Sequence, residues 1–209
     1  DRGPARVWYG SAAASEYHDM DWLTAHIAAD EDVRITSLTN DQTILVLAGP
    51  RSREVLQAVS RADWSKEAFP WLSVRECFIG FAPATVIGVS FSGELAYEIH
   101  VPNASLYAAY LALREAGKAY NMRHFGARAV DSMRMEKGFL HWKADLITEF
   151  NPLETGLDRF VKAEKGDFVG KAALMTQMAQ GPQNQLVTLK IDAMHTPAYG
   201  GASLMLDGV

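Results

Sequence analysis

The sequence predicts an α+β fold built from paired antiparallel hairpins crossed by helices. Residues 74–80, 84–89 and 96–101 read as three strands, and a tight Gly-containing turn, 90–94, lies between the last two. Helical spacing recurs over 52–59, 104–120, 126–137 and 171–180. The order of these segments is not the strict strand–helix alternation of a parallel doubly wound sheet. No GxGxxG or GxxxxGK[ST] loop accompanies them.

Composition allows a folded domain and excludes several classes. With 48% hydrophobic and 22% charged residues over 209 positions, the chain is ordinary for a globular protein and long enough to bury a core. A net charge of −5 argues against nucleic acid as a partner. No apolar run reaches the roughly 20 residues that span a bilayer, so no membrane partner is expected. The single cysteine, Cys77, rules out an internal disulfide and a multi-cysteine metal site. Six scattered histidines show no metal-ligand spacing, and no metal is expected. The first residues, Asp1 to Arg6, are not a signal peptide, and both ends of the chain read as cuts.

The elements follow in order. Residues 6–9 form a short strand candidate. The helix after them carries Trp22, Leu23, His26 and Ile27 on one face and ends at the acidic run 30–32. Alternation over 33–37, a turn at Asn40-Asp41 and the apolar run 44–47 predict a hairpin with a buried second strand. Gly49-Pro50 breaks that strand, and 52–59 is a short amphipathic helix. The loop 60–72 carries Trp64, Phe69 and Trp71, which read as plugs at a core edge. After the three strands, Pro102-Asn103 starts a helix with Leu106, Tyr110, Leu113 and Gly117 in one stripe. A second helix spans 126–137. The pattern loosens from 139 to 156, then 171–180 is helical, 185–191 alternates as a strand, and 202–206 begins another. The whole suggests two ferredoxin-like halves, with a separate β unit starting at 184.

Three stretches carry the chemistry. In Phe91-Ser92-Gly93-Glu94-Leu95-Ala96-Tyr97-Glu98-Ile99-His100, an extended chain puts Glu98 on one face with Ala96 and His100. A carboxylate in so apolar a strand needs a partner. Either an arginine or backbone N–H groups supply it, or a ligand with adjacent coplanar N–H groups does, as a pteridine or guanine edge would. In 131–138, Arg134 and Glu136 sit among methionines, which suggests internal ion pairing. In 151–157, Pro152 starts a helical turn whose positive end lies near Glu154. Cys77, between Glu76 and Phe78, reads as a small buried residue rather than a nucleophile.

In this order, 91–98, 130–138 and 151–157 resemble the folate-binding family of the glycine-cleavage T-protein (aminomethyltransferase). The runs 133–139 and 156–161 are similar to the C-terminal folate domain of dimethylglycine and sarcosine dehydrogenases, and 167–171 resembles the family's usual run into a helix. The resemblance covers most of 6–205. It implies the T-protein folate-binding fold, with 1–183 as part of the folate-binding domain and 184–209 as the start of a C-terminal β-barrel. It implies a tetrahydrofolate site in which Glu98 binds the pterin. Phe91 stands where the family has a tyrosine and keeps the apolar contact, and the main chain of Ile99 and His100 follows the glutamate toward the ligand. Val130 falls where T-proteins place a folate-binding arginine, and Arg128, two positions away, is the candidate substitute. The family's catalytic aspartate is expected upstream of residue 1, so no catalytic residue is assigned here.

The implied activity of the parent protein is one-carbon transfer to tetrahydrofolate, from an N-methyl amine or an aminomethyl carrier, giving 5,10-methylenetetrahydrofolate. FAD is expected only in an upstream flavin domain of the same parent chain. A bacterial cytoplasm or a mitochondrial matrix suits the chemistry. The alternative is a non-catalytic folate-binding or docking module whose pocket has decayed at Phe91 and Val130.

Overall fold

The computed structural model describes residues 5–192, 198–205 and 207. The chain divides into two compact units, Asp1–Trp142 and Lys143–Val209.

The first unit is organised by a four-stranded antiparallel sheet, β1 (Gln42–Ala48), β2 (Val74–Ile79), β3 (Ala82–Ile87) and β4 (Ala96–Pro102), in the order β1-β4-β3-β2. The β2–β3 hairpin turns on two residues, Gly80 and Phe81, with Gly80 at φ +59°. A two-residue hairpin of this kind favours glycine at that position. Pro83 lies in β3 beyond the stretch that pairs with β4, Thr85 to Ile87, so its missing N–H costs the ladder nothing.

Alternation decides which side of the sheet is buried. Leu47, Tyr97, Ile99, Val101, Ala82, Ala84, Val86 and Ile79 point to one face and form the core. Helices α2 (Ser52–Val59) and α3 (Leu106–Gly117) add Val55, Leu56, Ala109 and Leu113 to it and pack against each other. The loop before β2 plugs its edge. Trp64 and Phe69 are buried with rings 4.8 Å apart and nearly perpendicular, and the Arg75 guanidinium lies over both. Trp71, expected to join them, is exposed.

The rest of this unit comprises α1 (Glu16–Ala25) and α4 (Ala127–Glu136). Helix α1 stops before the acidic run and buries none of its residues; Trp22 stacks on His26 rather than on a core. In the second unit, Asp158–Phe160 is a 3-10 turn and α5 spans Lys171–Gln180. Among the described residues no helix is long and apolar enough to cross a membrane.

Four strand expectations fail. Residues 6–9 join no strand among the described residues and are mostly exposed. The hairpin of 33–37 with 44–47 does not form. The turn after Leu38 exists, but β1 pairs along its whole length with β4, Gln42 opposite Pro102 to Ala48 opposite Ala96. Tyr97, Ile99 and Val101 give β1 a partner that extends the buried face, whereas Val33 stays 54% exposed. Asn103 fastens this distant pairing, donating to the Asn40 carbonyl and accepting from the Thr43 hydroxyl. The alternating run 185–191 forms no strand because no described residue offers it a ladder. Among the described residues its one backbone tie is Leu186 N–H to the Glu154 carbonyl, 2.8 Å. Residues 202–205 are likewise not a strand, and Leu206 lies outside the described residues, as does His195.

Candidate functional site

The open face of the sheet carries the candidate site. Because Tyr97, Ile99 and Val101 face the core, Glu98 and His100 face away from it. Cross-strand pairing sets their neighbours. Val46 and Ile87 flank Glu98, while Ile44 and Thr85 flank His100. The carboxylate therefore stands in a largely apolar row.

Its partner is neither an arginine nor a backbone N–H. Glu98 Oε2 lies 3.3 Å from His100 Nε2, and the side chains are 37% and 15% exposed. Among the described residues Oε1 accepts no hydrogen bond. The His100 ring is half-buried, with the Trp8 ring 5.5 Å away and tilted by 47°. Nothing in the sequence linked Trp8 to His100, since the two meet through their rings and not through a strand ladder.

The turn leading into β4 is held by hydroxyls. Ser90 Oγ accepts the Gly93 N–H and Ser92 Oγ accepts the Glu94 N–H. Gly93 adopts φ +80°, and the Lys137 side chain at the end of α4 packs over it, where any Cβ would collide. Two of the three chemistry-bearing stretches, 91–100 and 131–138, thus meet at this glycine. Phe91 is 43% exposed, its ring 5.9 Å from that of His141.

The other site expectations separate. Ile99 contributes main chain only, its side chain being buried in the core. Arg128 lies exposed in the first turn of α4 and makes no hydrogen bond or ion pair among the described residues, with Glu98 or otherwise. The internal ion pair expected in 131–138 is present with a different acid. Arg134 is buried; its Nε donates to Asp131 Oδ1 at 2.7 Å and another guanidinium nitrogen to the Phe139 carbonyl at 3.0 Å. The i,i+3 spacing of Asp131 and Arg134 was the signal for it.

In the second unit Glu154 is buried and fully engaged. It accepts from the backbone N–H of Asn151 and from both the N–H and the side-chain amide of Asn184, each at 3.1 Å. The Asn151 N–H, then the Asn184 groups, hold its carboxyl below the usual carboxylate range against the cost of burial. Asn184 is 30 residues away in sequence and carried no local signal. Cys77 is half-buried rather than buried, packing against the core, and burial pushes its thiol up, away from the thiolate a nucleophile needs.

Chemically, the Glu98 carboxylate offers one oxygen unbonded among the described residues and one held by an imidazole, between apolar cross-strand neighbours, while Glu76, opposite Thr85, lies on the same face. That set fits a flat heteroaromatic group bearing adjacent N–H donors.

Residues 2–165 match the GCVT N-terminal domain family. Mitochondrial dimethylglycine dehydrogenase of Homo sapiens is 33% identical over 209 residues, covering 99% of this chain and 24% of that protein. Mitochondrial sarcosine dehydrogenase of Mus musculus is 35% identical over 185 residues, covering 87% of this chain and 20% of that protein. An aminomethyltransferase of Caldanaerobacter subterraneus subsp. tengcongensis is 31% identical over 188 residues, covering 90% of this chain and 50% of that protein. The chain thus spans a quarter or less of the two dehydrogenases and half of the transferase.

Proposed function

The chain belongs to the GCVT N-terminal domain family, and on that premise we propose that it forms the tetrahydrofolate-binding part of an enzyme that transfers one-carbon units. The observation that carries this reading is Glu98, a carboxylate on an open sheet face with Oε1 unbonded and apolar neighbours on both strands. Tetrahydrofolate, when bound, supplies the nitrogen that accepts the one-carbon unit. The parent protein would take that unit from an N-methyl amine or an aminomethyl carrier and release 5,10-methylenetetrahydrofolate.

This chain's residues bind and orient. Glu98 accepts the adjacent N–H groups of the pterin as a pair of charge-assisted bonds. Val46 and Ile87 keep water from its flanks, and Phe91 gives an apolar contact at the entry to β4. Holding the acceptor in register lowers the entropic part of the barrier. Excluding water keeps the one-carbon unit from escaping as formaldehyde. Flavin chemistry, expected from the dehydrogenase relatives, would belong to another part of the parent protein, because no dinucleotide fingerprint occurs here. A mitochondrial matrix or a bacterial cytoplasm suits both.

One-carbon accounting tests the reading. The intact protein that carries this sequence is supplied with dimethylglycine or sarcosine and tetrahydrofolate, and formaldehyde and 5,10-methylenetetrahydrofolate are both measured. The expected result is methylenetetrahydrofolate from the native protein and a shift to free formaldehyde in Glu98→Ala. An unchanged split between the two products would refute the assignment of Glu98. Amine oxidation with no folate dependence at all would favour a docking module with a decayed pocket.

A further inference from the structure

We infer that the His100 side chain is a positioning residue for the Glu98 carboxylate, holding it in the plane that a pair of ligand N–H groups requires. The inference rests on the folate reading above and adds to it a residue that does not touch the ligand through its ring.

The geometry starts from the strand. Glu98 and His100 are two apart in β4, so both project from the open face. Glu98 Oε2 and His100 Nε2 are 3.3 Å apart. An ionised carboxylate only accepts hydrogen bonds, so Nε2 must carry the proton of the ring. The ring itself is held. It is the less exposed of the two side chains, 15% against 37%, it sits between Ile44 and Thr85 across the ladder, and Trp8 lies 5.5 Å from it.

A glutamate on a sheet face, left alone, rotates about its last torsion, whose profile is broad and two-fold. Two parallel bonds to a flat ligand need one orientation of that carboxylate. With Nε2–H on Oε2, the plane is set before the ligand arrives and Oε1 points away from the imidazole. Oε2 keeps a second lone pair for the ligand's other N–H. His100 thus lowers the ordering cost of binding without adding a ligand contact.

The test titrates 5-formyltetrahydrofolate into the intact protein and into His100→Leu, His100→Gln and Glu98→Ala, with thermal midpoints for each. Gln places an amide N–H close to where Nε2–H stood; Leu keeps bulk and removes the donor. Ordering one side chain corresponds to a roughly threefold to tenfold loss of affinity in His100→Leu. His100→Gln should stay within about twofold of the native protein. Equal affinities in His100→Leu and the native protein, or equal losses in His100→Leu and His100→Gln, would overturn the inference, the second by showing that ring packing matters and the donor does not. Glu98→Ala that loses binding while His100→Leu keeps it overturns this inference alone. Glu98→Ala that binds as the native protein does overturns the folate reading and this inference with it.

Discussion

Gly93 joins the candidate site to α4, and replacing it separates two physical costs. Its φ of +80° lies in the left-handed region, and a methyl added there falls 2.8 Å from Lys137 Cβ and nearer still to Cγ. The backbone cost for a residue with a Cβ is about 1–2 kcal/mol. Forcing side chains apart adds about 1–3 kcal/mol. Gly93→Ala is therefore predicted to destabilise the first unit by about 2–5 kcal/mol. The second cost is reducible, because Lys137 is exposed and Lys137→Ala alone should fall within about 0.5 kcal/mol of the native protein. That change removes the Cγ and Cδ collisions and leaves only the approach to Cβ. The double variant should then be about 1–2 kcal/mol more stable than the two single effects summed. Urea unfolding at constant slope measures all four proteins. A Gly93→Ala protein within about 0.5 kcal/mol of native, or a coupling of zero, would refute the packing of this turn on α4.

Three further outcomes are expected. Trp64→Ala, which empties a fully buried site against Phe69 and Tyr97, should cost about 3–5 kcal/mol in the same assay; a loss under 1 kcal/mol would show the loop 60–72 lying outside the core. Leu56→Ala in α2, also fully buried, should cost about 2–5 kcal/mol with an unchanged slope. The lowered Glu154 carboxyl contributes stability above its unfolded-state titration, and that contribution disappears as pH falls through the folded value. Glu154→Gln should therefore flatten the acid side of a stability–pH profile below the usual carboxylate range, and a native-like slope in that variant would contradict the hydrogen bonding seen at Asn151 and Asn184.

Much of this arrangement was legible because it is local. Helices α2 and α5 have the bounds their periodicity predicts, since caps and 3.6-residue spacing act within a few residues. The facing of Glu98 with His100 follows from the two-residue period of a strand whose other face is Tyr97, Ile99 and Val101. Partner choice was not legible. The alternation of 33–37 looks like half of a hairpin, but β1 finds a more apolar partner in the distant strand β4, Gln42 opposite Pro102 to Ala48 opposite Ala96. Residues 185–191 alternate as strands do, yet alternation describes a face and supplies no ladder. Trp8 beside His100 and Asn184 beneath Glu154 are likewise long-range meetings that no spacing rule encodes.

The central claim is that Glu98 is the carboxylate that holds the pterin. Calorimetric titration of 5-formyltetrahydrofolate into the intact protein, native and Glu98→Ala, tests it most directly. Loss of two charge-assisted bonds predicts an affinity about a hundredfold or more weaker in Glu98→Ala, with the thermal midpoint nearly unchanged. Equal affinity in the two proteins would contradict the claim.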